Sequence, residues 1–413
     1  MNYFSRGSAT DNIATADKRA ALQMLNRSAR KVLLLPPDHT RSNSGAGELT
    51  NLLYEMFAPT AQVDIMPTIG THSPMTEQQL RMMYGDKIPL DRFLVHDWRN
   101  QVRHVGTVPG SLIKDWSGGM LDYDVRVEIS HQLFAGYDLI VSVGQLVPHE
   151  VVGIANYTKN IMTGAGGPDS INKSHFLGAV YGMERMMGHI DTPVRRLFNY
   201  GVQTFLKDLP IVYVLTVMQK TAAGMAMRGL YIGDDDATFE TGAKLAQQVN
   251  LDLLPAPLPK VIVYLDPHEF KSTWLGNKAI YRTRMALADG GELIILAPGL
   301  KEFGEDPEID RLIRQYGYRG TPAALAAVKH DPELAQNLSA AAHLIHGSSE
   351  GRFRVTYCPG PGVSADAIRS VGFEAGHLAD YPVEKLQDGF NDNGVFYISN
   401  PALGLWALKG QFK

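Results

Sequence analysis

The chain has 413 residues, 45% apolar and 20% charged, with a net charge of −4. These values are ordinary for a soluble globular protein with room for about two domains. Charges of both signs are mixed throughout, which argues against a nucleic-acid groove or a polybasic membrane patch. The one cysteine, Cys358, excludes an intramolecular disulfide and a cysteine-rich metal site, and it fits a reducing compartment. Residues 1 to 21 lack the apolar core of a signal peptide. The longest apolar runs, such as Ile211 to Val217, are far shorter than a membrane span. A soluble cytoplasmic protein is therefore expected.

Ala20, Leu22, Met24 and Leu25 have helical spacing within residues 15 to 29. Lys31 to Leu35 reads as a buried strand that ends in a polar loop, Pro36 to Gly45. A helix from Gly47 to Phe57 and a short strand from Gln62 to Met66 follow. The next loop is Gly70 to Glu77, where Thr76 is placed to cap a helix starting at Glu77. Phe93 to His96 and Arg126 to Ser130 are further strand candidates. Asp138 to Val143 is another apolar strand, and it leads into the stretch His149 to His175. Asn172 to Met187 reads as a helix and Ile211 to Val217 as a strand.

Leu254 to Pro259 is proline-rich and marks a linker. Beyond it come a strand from Lys260 to Tyr264, a helix from Ser272 to Ala288 and a strand from Glu292 to Ala297. Helices between Pro307 and Ile345 and strands at Phe353–Tyr357 and Val395–Ile398 complete the chain. Strand, loop and helix in succession argue for parallel sheets with a site at the carboxyl edge. The expected fold class is α/β: two α/β domains with mainly parallel sheets and an active-site cleft between them. The expected domains are 1–256, cofactor-binding and catalytic, and 257–413, whose last segment is a candidate for packing back on the first.

A lone histidine is more often structural than functional. Placement sets His39, His72, His149 and His175 apart, because a parallel sheet would bring their strand-end loops to one edge. Asp38 and Arg41 flank His39, and Arg41 could grip a carboxylate or phosphate bidentately. Lys159 could be a nucleophile or covalent anchor if burial removes its proton. Gly164 to Gly167 could let backbone N–H groups approach a phosphate. Walker, GxGxxG, zinc-protease, EF-hand and GxSxG patterns are absent.

Asp38-His-Thr-Arg41, Gly70-Thr-His-Ser-Pro-Met-Thr76 and the spacing His149–x9–Lys159–x15–His175 together resemble the lactate racemase family, whose members use a nickel-pincer nucleotide. Lys278, Glu350 to Tyr357 and Val371-Gly-Phe373 extend the resemblance over nearly the whole chain. The resemblance implies that Lys159 anchors the cofactor, a pyridinium-3-thioamide-5-thiocarboxylic acid mononucleotide, through a thioamide. It implies that His175 ligates nickel beside the cofactor's two sulfurs and a ring carbon, which suits a metal that takes imidazole and soft sulfur donors. His72 and His149 match the acid and base on opposite sides of the substrate. Asp38, Arg41 and Lys278 match substrate-site residues. By position, Gly164 and Gly166 would lie near the cofactor phosphate.

This sequence has Leu275 where lactate racemases place a glutamine, and Trp274 where they usually have tyrosine. A lost amide is a lost polar contact, so the expected substrate is a larger 2-hydroxy acid or a sugar acid rather than lactate. The expected activity is a racemase or epimerase inverting C2 of a 2-hydroxy acid by hydride transfer, an isomerase matured by cofactor-biosynthesis enzymes. Lactate racemase proper, a dinucleotide-dependent dehydrogenase and a non-catalytic binding protein that kept the fold are the alternatives.

Overall fold

The structure is a computed structural model and describes residues 1–25 and 28–412. The chain divides into two compact units. The first is Met1–Ser174 with Met186–Asn250, and the second is His175–Arg185 with Leu251–Lys413.

The first unit holds β1 (Asn2–Gly7), β2 (Lys31–Leu35), β3 (Gln62–Ile65), β4 (Val102–Val108), β5 (Val125–Ser130), β6 (Leu139–Gln145), β7 (Pro148–His149), β8 (Gly153–Ile154), β9 (Ile211–Thr221) and β10 (Gly224–Gly233). Its main sheet has the order β1-β10-β9-β6-β2-β3. Strands β9, β6, β2 and β3 are parallel, and β10 and β1 extend the sheet antiparallel. Strands β2 and β6 show no in-out alternation because both faces are covered, as parallel sheets require. Val32, Leu33, Leu34, Leu35, Ile140 and Val141 are all buried. The helix after β2, Ala46–Phe57, packs Leu49, Leu53 and Phe57 into the core with Val32, Leu34, Val63 and Val141. Each such burial contributes roughly 1.5–3 kcal/mol. The expected strand at Arg126 to Ser130 exists as β5, but it pairs antiparallel with β4 outside the main sheet. Phe93 to His96 forms no strand. Phe93 makes one bridge to Ile65, and His96 is buried with its Nε2 3.0 Å from the carbonyl oxygen of Gly166.

The second unit holds β11 (Asp252–Leu254), β12 (Leu258–Tyr264), β13 (Leu287–Ala297), β14 (Arg354–Pro359), β15 (Glu374–Ala375), β16 (Gly389–Phe390), β17 (Val395–Ile398) and β18 (Trp406–Leu408). Its sheet has the order β15-β14-β13-β12-β17-β16 and is parallel except for β16. The last segment is built into this unit: β17 pairs with β12, and β18 pairs with β11. The helix expected from Ser272 to Ala288 is two short helices, Thr273–Gly276 and Lys278–Thr283. They break at Asn277, a buried residue whose Oδ1 accepts a hydrogen bond from the Tyr357 hydroxyl at 2.8 Å. Among the described residues, no helix is long and apolar enough to cross a membrane.

The segment His175–Arg185 is held within the second unit by a charge cluster. Glu184 Oε1 accepts from Arg284 Nε and from Arg352 Nη1, each at 2.8 Å. Arg284 is buried and also donates to the Ser348 carbonyl at 3.1 Å. Arg352 binds Asp289 and the carbonyls of Arg284 and Leu287. Burial opposes ionisation of Glu184, but the two guanidinium groups outweigh it and hold its carboxyl below the usual range. A lowered carboxylate pKa stabilises the fold above the unfolded value, about 4.3, and that contribution is lost as pH falls. Glu184→Gln is expected to cost roughly 2 kcal/mol at neutral pH. In urea melts, the gap between wild type and variant should narrow below about pH 4.

Candidate active site

Strands β6, β2 and β3 are neighbours, so the loops after them share the sheet's carboxyl edge. In the first loop, Asp38 caps a 3-10 helix, His39–Ser44, and accepts from the Thr40 amide at 3.1 Å and hydroxyl at 2.5 Å. Arg41 leaves helical geometry there (φ −114°, ψ 33°), and its exposed side chain donates to the Thr40 carbonyl at 3.4 Å and hydroxyl at 3.3 Å. In the second loop, Thr76 caps the helix Glu77–Tyr84 in a reciprocal box with Gln79, as its position predicts. The same loop brings His72 Nδ1 to 2.5 Å from Asp38 Oδ2. Asp38 is 4% exposed and His72 is 54% exposed. The carboxylate therefore lies beneath the ring, and the far nitrogen, Nε2, is left to act. Burial opposes ionisation of Asp38, but hydrogen bonds from His72 and Thr40 and the charges of His72 and Arg41 hold its carboxyl below the ordinary range.

The third loop begins with the β7–β8 hairpin. His149 is 12% exposed, and its Nδ1 accepts the Val151 amide at 3.1 Å, with Glu150 3.8 Å away. An accepting Nδ1 places the proton of the neutral ring on Nε2. Asn156 and Tyr157 follow in left-handed conformation, φ 65° and 59°. Two consecutive non-glycine residues there cost roughly 1–3 kcal/mol each. Lys159 comes next and opens a turn of π-helix, Asn160–Gly164. The Asn160 side chain is buried and fully bonded. It donates to the Leu35 carbonyl at 3.0 Å and the Ser142 hydroxyl at 2.9 Å, and it accepts from the Thr68 hydroxyl at 2.7 Å.

The glycines beyond it serve close packing. A Cβ on Gly164 would lie 2.8 Å from Thr68 Cβ, and one on Gly166 would lie 2.0 Å from the Met162 carbonyl oxygen. The amides of Ala165, Gly166 and Gly167 donate to Asn160, Thr163 and Glu128 carbonyls. These three amides are thus paired within the protein.

The Lys159 amine is shifted from its ordinary value. Burial and the Arg41 charge push it down to about 8, against the pull of Glu150 and Asp38, and Arg195 adds to the depression. A substantial neutral fraction near physiological pH suits a nucleophile.

Asp38, Arg41, His72, His149, Lys159, Gly164 and Gly166 belong to the first unit. His175 lies in the helix Pro168–Tyr181 but groups with the second unit, as do Trp274, Leu275 and Lys278. Lys278 begins the helix Lys278–Thr283, with its ammonium 5.6 Å from the Phe270 ring centre. Trp274 stacks on His343 at 4.1 Å. His343 is buried, and burial pushes it down to about 3, so it is neutral. No group of three or more His, Cys, Asp or Glu side chains suited to a metal ion occurs among the described residues.

Residues 10–187 match the family model of the lactate racemase N-terminal domain. Two lactate racemases are similar over much of the chain. That of Thermoanaerobacterium thermosaccharolyticum is 24% identical over 288 residues, covering 67% of this chain and 62% of its own. That of Lactiplantibacillus plantarum is 24% identical over 246 residues, covering 58% and 53%. Residues 10–187 thus resemble the N-terminal domain of lactate racemases, and the chain is similar in sequence to that family. It spans little more than half the length of these curated relatives. In fold it matches the lactate racemase apoprotein from T. thermosaccharolyticum, with a TM-score of 0.68, 18% identity and coverage of 92% and 87%. A Thermotoga maritima protein is also similar, with a TM-score of 0.81, 22% identity and coverage of 97% and 99%.

Asn160, Thr68, Glu150 and Arg195 contribute to the site without having been singled out by motif. Arg195 left a readable signal. It follows a Thr192–Pro193 helix start and sits among Val194, Leu197 and Phe198, which are buried. A charge on an apolar face is informative. Asn160 left none, since its partners are distant in sequence. Asn160→Ala orphans the Ser142 hydroxyl and the Leu35 carbonyl. It is expected to lower stability by roughly 1–3 kcal/mol in denaturant unfolding.

Proposed function

We propose that this chain is a racemase or epimerase that inverts C2 of a 2-hydroxy acid by reversible hydride transfer, using a nickel-pincer nucleotide attached at Lys159 and matured by cofactor-synthesis enzymes. The observation that carries the reading is Lys159. It is an amine lowered to about 8 and under the influence of Arg41, Asp38 and Glu150, at the edge where His72 also stands. The residues present suit the group. Lys159 would hold the group through its amine, and one histidine, His175, would suffice where a cofactor brings its own sulfur donors. When bound, the cofactor would supply an electron-poor centre that takes and returns hydride, avoiding a carbanion beside a carboxylate.

The protein's own part is proton handling and alignment. Asp38, ionised and bonded to Nδ1, orients His72 and stabilises its imidazolium, so Nε2 can take the hydroxyl proton. His149, whose Nδ1 accepts the Val151 amide, would be the second acid–base group. For His149 to cycle through a charged form, Nδ1 must release the Val151 amide, and Glu150 is near enough to compensate the charge. Within the first unit, Arg41 is the cation for the substrate carboxylate.

The substrate we infer is larger than lactate, because Leu275 brings no amide and the bulky Trp274 is fixed by its stack on His343. The names of the two similar enzymes favour lactate itself as the second reading.

Protein co-produced with the cofactor-synthesis enzymes should show a covalent adduct mapped to Lys159 and about one nickel per chain, as a one-site cofactor requires. Unmodified mass without nickel overturns the reading. On loaded protein, His72→Ala and His149→Ala should each cut racemisation by about 10²–10⁴-fold while the adduct remains. Assays over lactate, malate, aryl-lactates and sugar acids identify the substrate, and activity confined to lactate refutes the larger-substrate inference.

A further inference from the structure

Arg195 is buried at 3% exposure, yet it lies under the segment that leads into Lys159. Its Nη2 donates to the Ile154 carbonyl at 2.5 Å and to the Asn156 carbonyl at 3.2 Å. Its Nη1 donates to the same Asn156 carbonyl at 3.2 Å and to the Thr158 hydroxyl at 2.8 Å. One guanidinium thus grips residues 154, 156 and 158, the three that bracket the left-handed pair Asn156 and Tyr157. The grip is itself supported. The guanidinium lies 4.3 Å from the Phe239 ring centre, and Phe239 stacks on Tyr157 at 5.1 Å. The Tyr157 hydroxyl donates to Asp236 at 2.9 Å, and Thr158 donates to Asn199 at 2.7 Å.

We propose that Arg195 is a positioning residue for Lys159: by clamping residues 154–158 in strained conformation, it holds the lysine amine inside the site in reactive form. This rests on reading Lys159 as the amine that carries the cofactor. Two left-handed non-glycine residues in succession relax unless surrounding contacts over-determine them. The fork geometry of arginine satisfies three acceptors in one plane, which an ammonium cannot do. Without the clamp, the segment would return to ordinary backbone angles and carry Lys159 toward water. The charged groups acting on the amine are Arg41, Glu150, Arg195 and Asp38. Arg195 therefore acts in two separable ways, as a nearby cation and as a clamp, and the clamp is what is proposed.

The test uses the full chain made without cofactor-synthesis enzymes. Lys159 is acylated with acetic anhydride over a pH series and followed by peptide mass mapping, with exposed Lys207 as the internal reference. The wild-type midpoint is expected near 8. Arg195→Lys keeps the cation and loses the fork. Its midpoint should rise to about 9 or above, toward the ordinary lysine value of about 10.4, and hydrogen exchange at 154–158 should quicken. Thr158→Ala, which removes one contact of the clamp, should move the midpoint the same way by less. A folded Arg195→Lys variant with an unmoved midpoint overturns the proposal, since an effect of charge alone predicts that outcome. A wild-type midpoint at the ordinary lysine value overturns it too. If Arg195→Lys fails to give a cooperative melt, Thr158→Ala decides: a raised midpoint supports the clamp, and no change refutes it. Cofactor attachment is read separately by intact mass. Midpoints that move as expected in a chain that never takes the adduct would keep the clamp and reject the cofactor reading.

Discussion

The carboxamide of Asn160 joins three parts of the sheet that are far apart in sequence. It reaches the last residue of β2, the loop after β3 and the middle of β6. A buried amide with every bond made fixes its neighbours more sharply than apolar packing does, because any shift leaves a donor or acceptor unpaired. Lys159 precedes it directly in the chain, and Asp38 and His72 sit just beyond the strand ends it holds. The placement of amine, carboxylate and imidazole thus depends on one polar junction in an otherwise apolar layer.

Around that junction the electrostatics run in two directions. Asp38 stays ionised in spite of burial because His72, Thr40 and Arg41 surround it. Lys159 gives up its proton readily because burial and the charges of Arg41 and Arg195 outweigh the pull of Glu150 and Asp38. Groups of opposite sign within one loop cluster are thus prepared for opposite tasks, one to hold a charge and the other to shed it. The strain at Asn156 and Tyr157 belongs to the same arrangement. The backbone is held there by an arginine whose own burial is made tolerable by carbonyl acceptors and two aromatic rings.

Part of this was legible in the chain alone. Apolar runs of strand length such as Lys31 to Leu35 and Asp138 to Val143, each followed by a polar loop, imply a parallel sheet and a site at its carboxyl edge. Thr76 directly before Glu77 implies the helix cap that is observed. Other features were not legible. Gly164 to Gly167 looks like a phosphate turn, yet the amides of Ala165, Gly166 and Gly167 donate to protein carbonyls and its glycines answer to steric contact with Thr68, Met162 and Glu128. Phe93 to His96 has strand composition but forms a single bridge, because His96 turns inward to Gly166. Ser272 to Ala288 has a helical pattern, but buried Asn277 interrupts it to meet Tyr357.

The sequence by itself determined the α/β class, the identity of most of the side chains proposed for chemistry and the family resemblance, because these rest on local periodicity and on short motifs. Only the tertiary structure decided what state those side chains are in. The Asp38–His72 pair links loops 34 residues apart, the Arg195 clamp spans about 40, and Asn160 reaches Leu35 across 125. Protonation and strain follow from burial and from neighbours brought together through space. A string of residues carries no such distances until the sheet has formed.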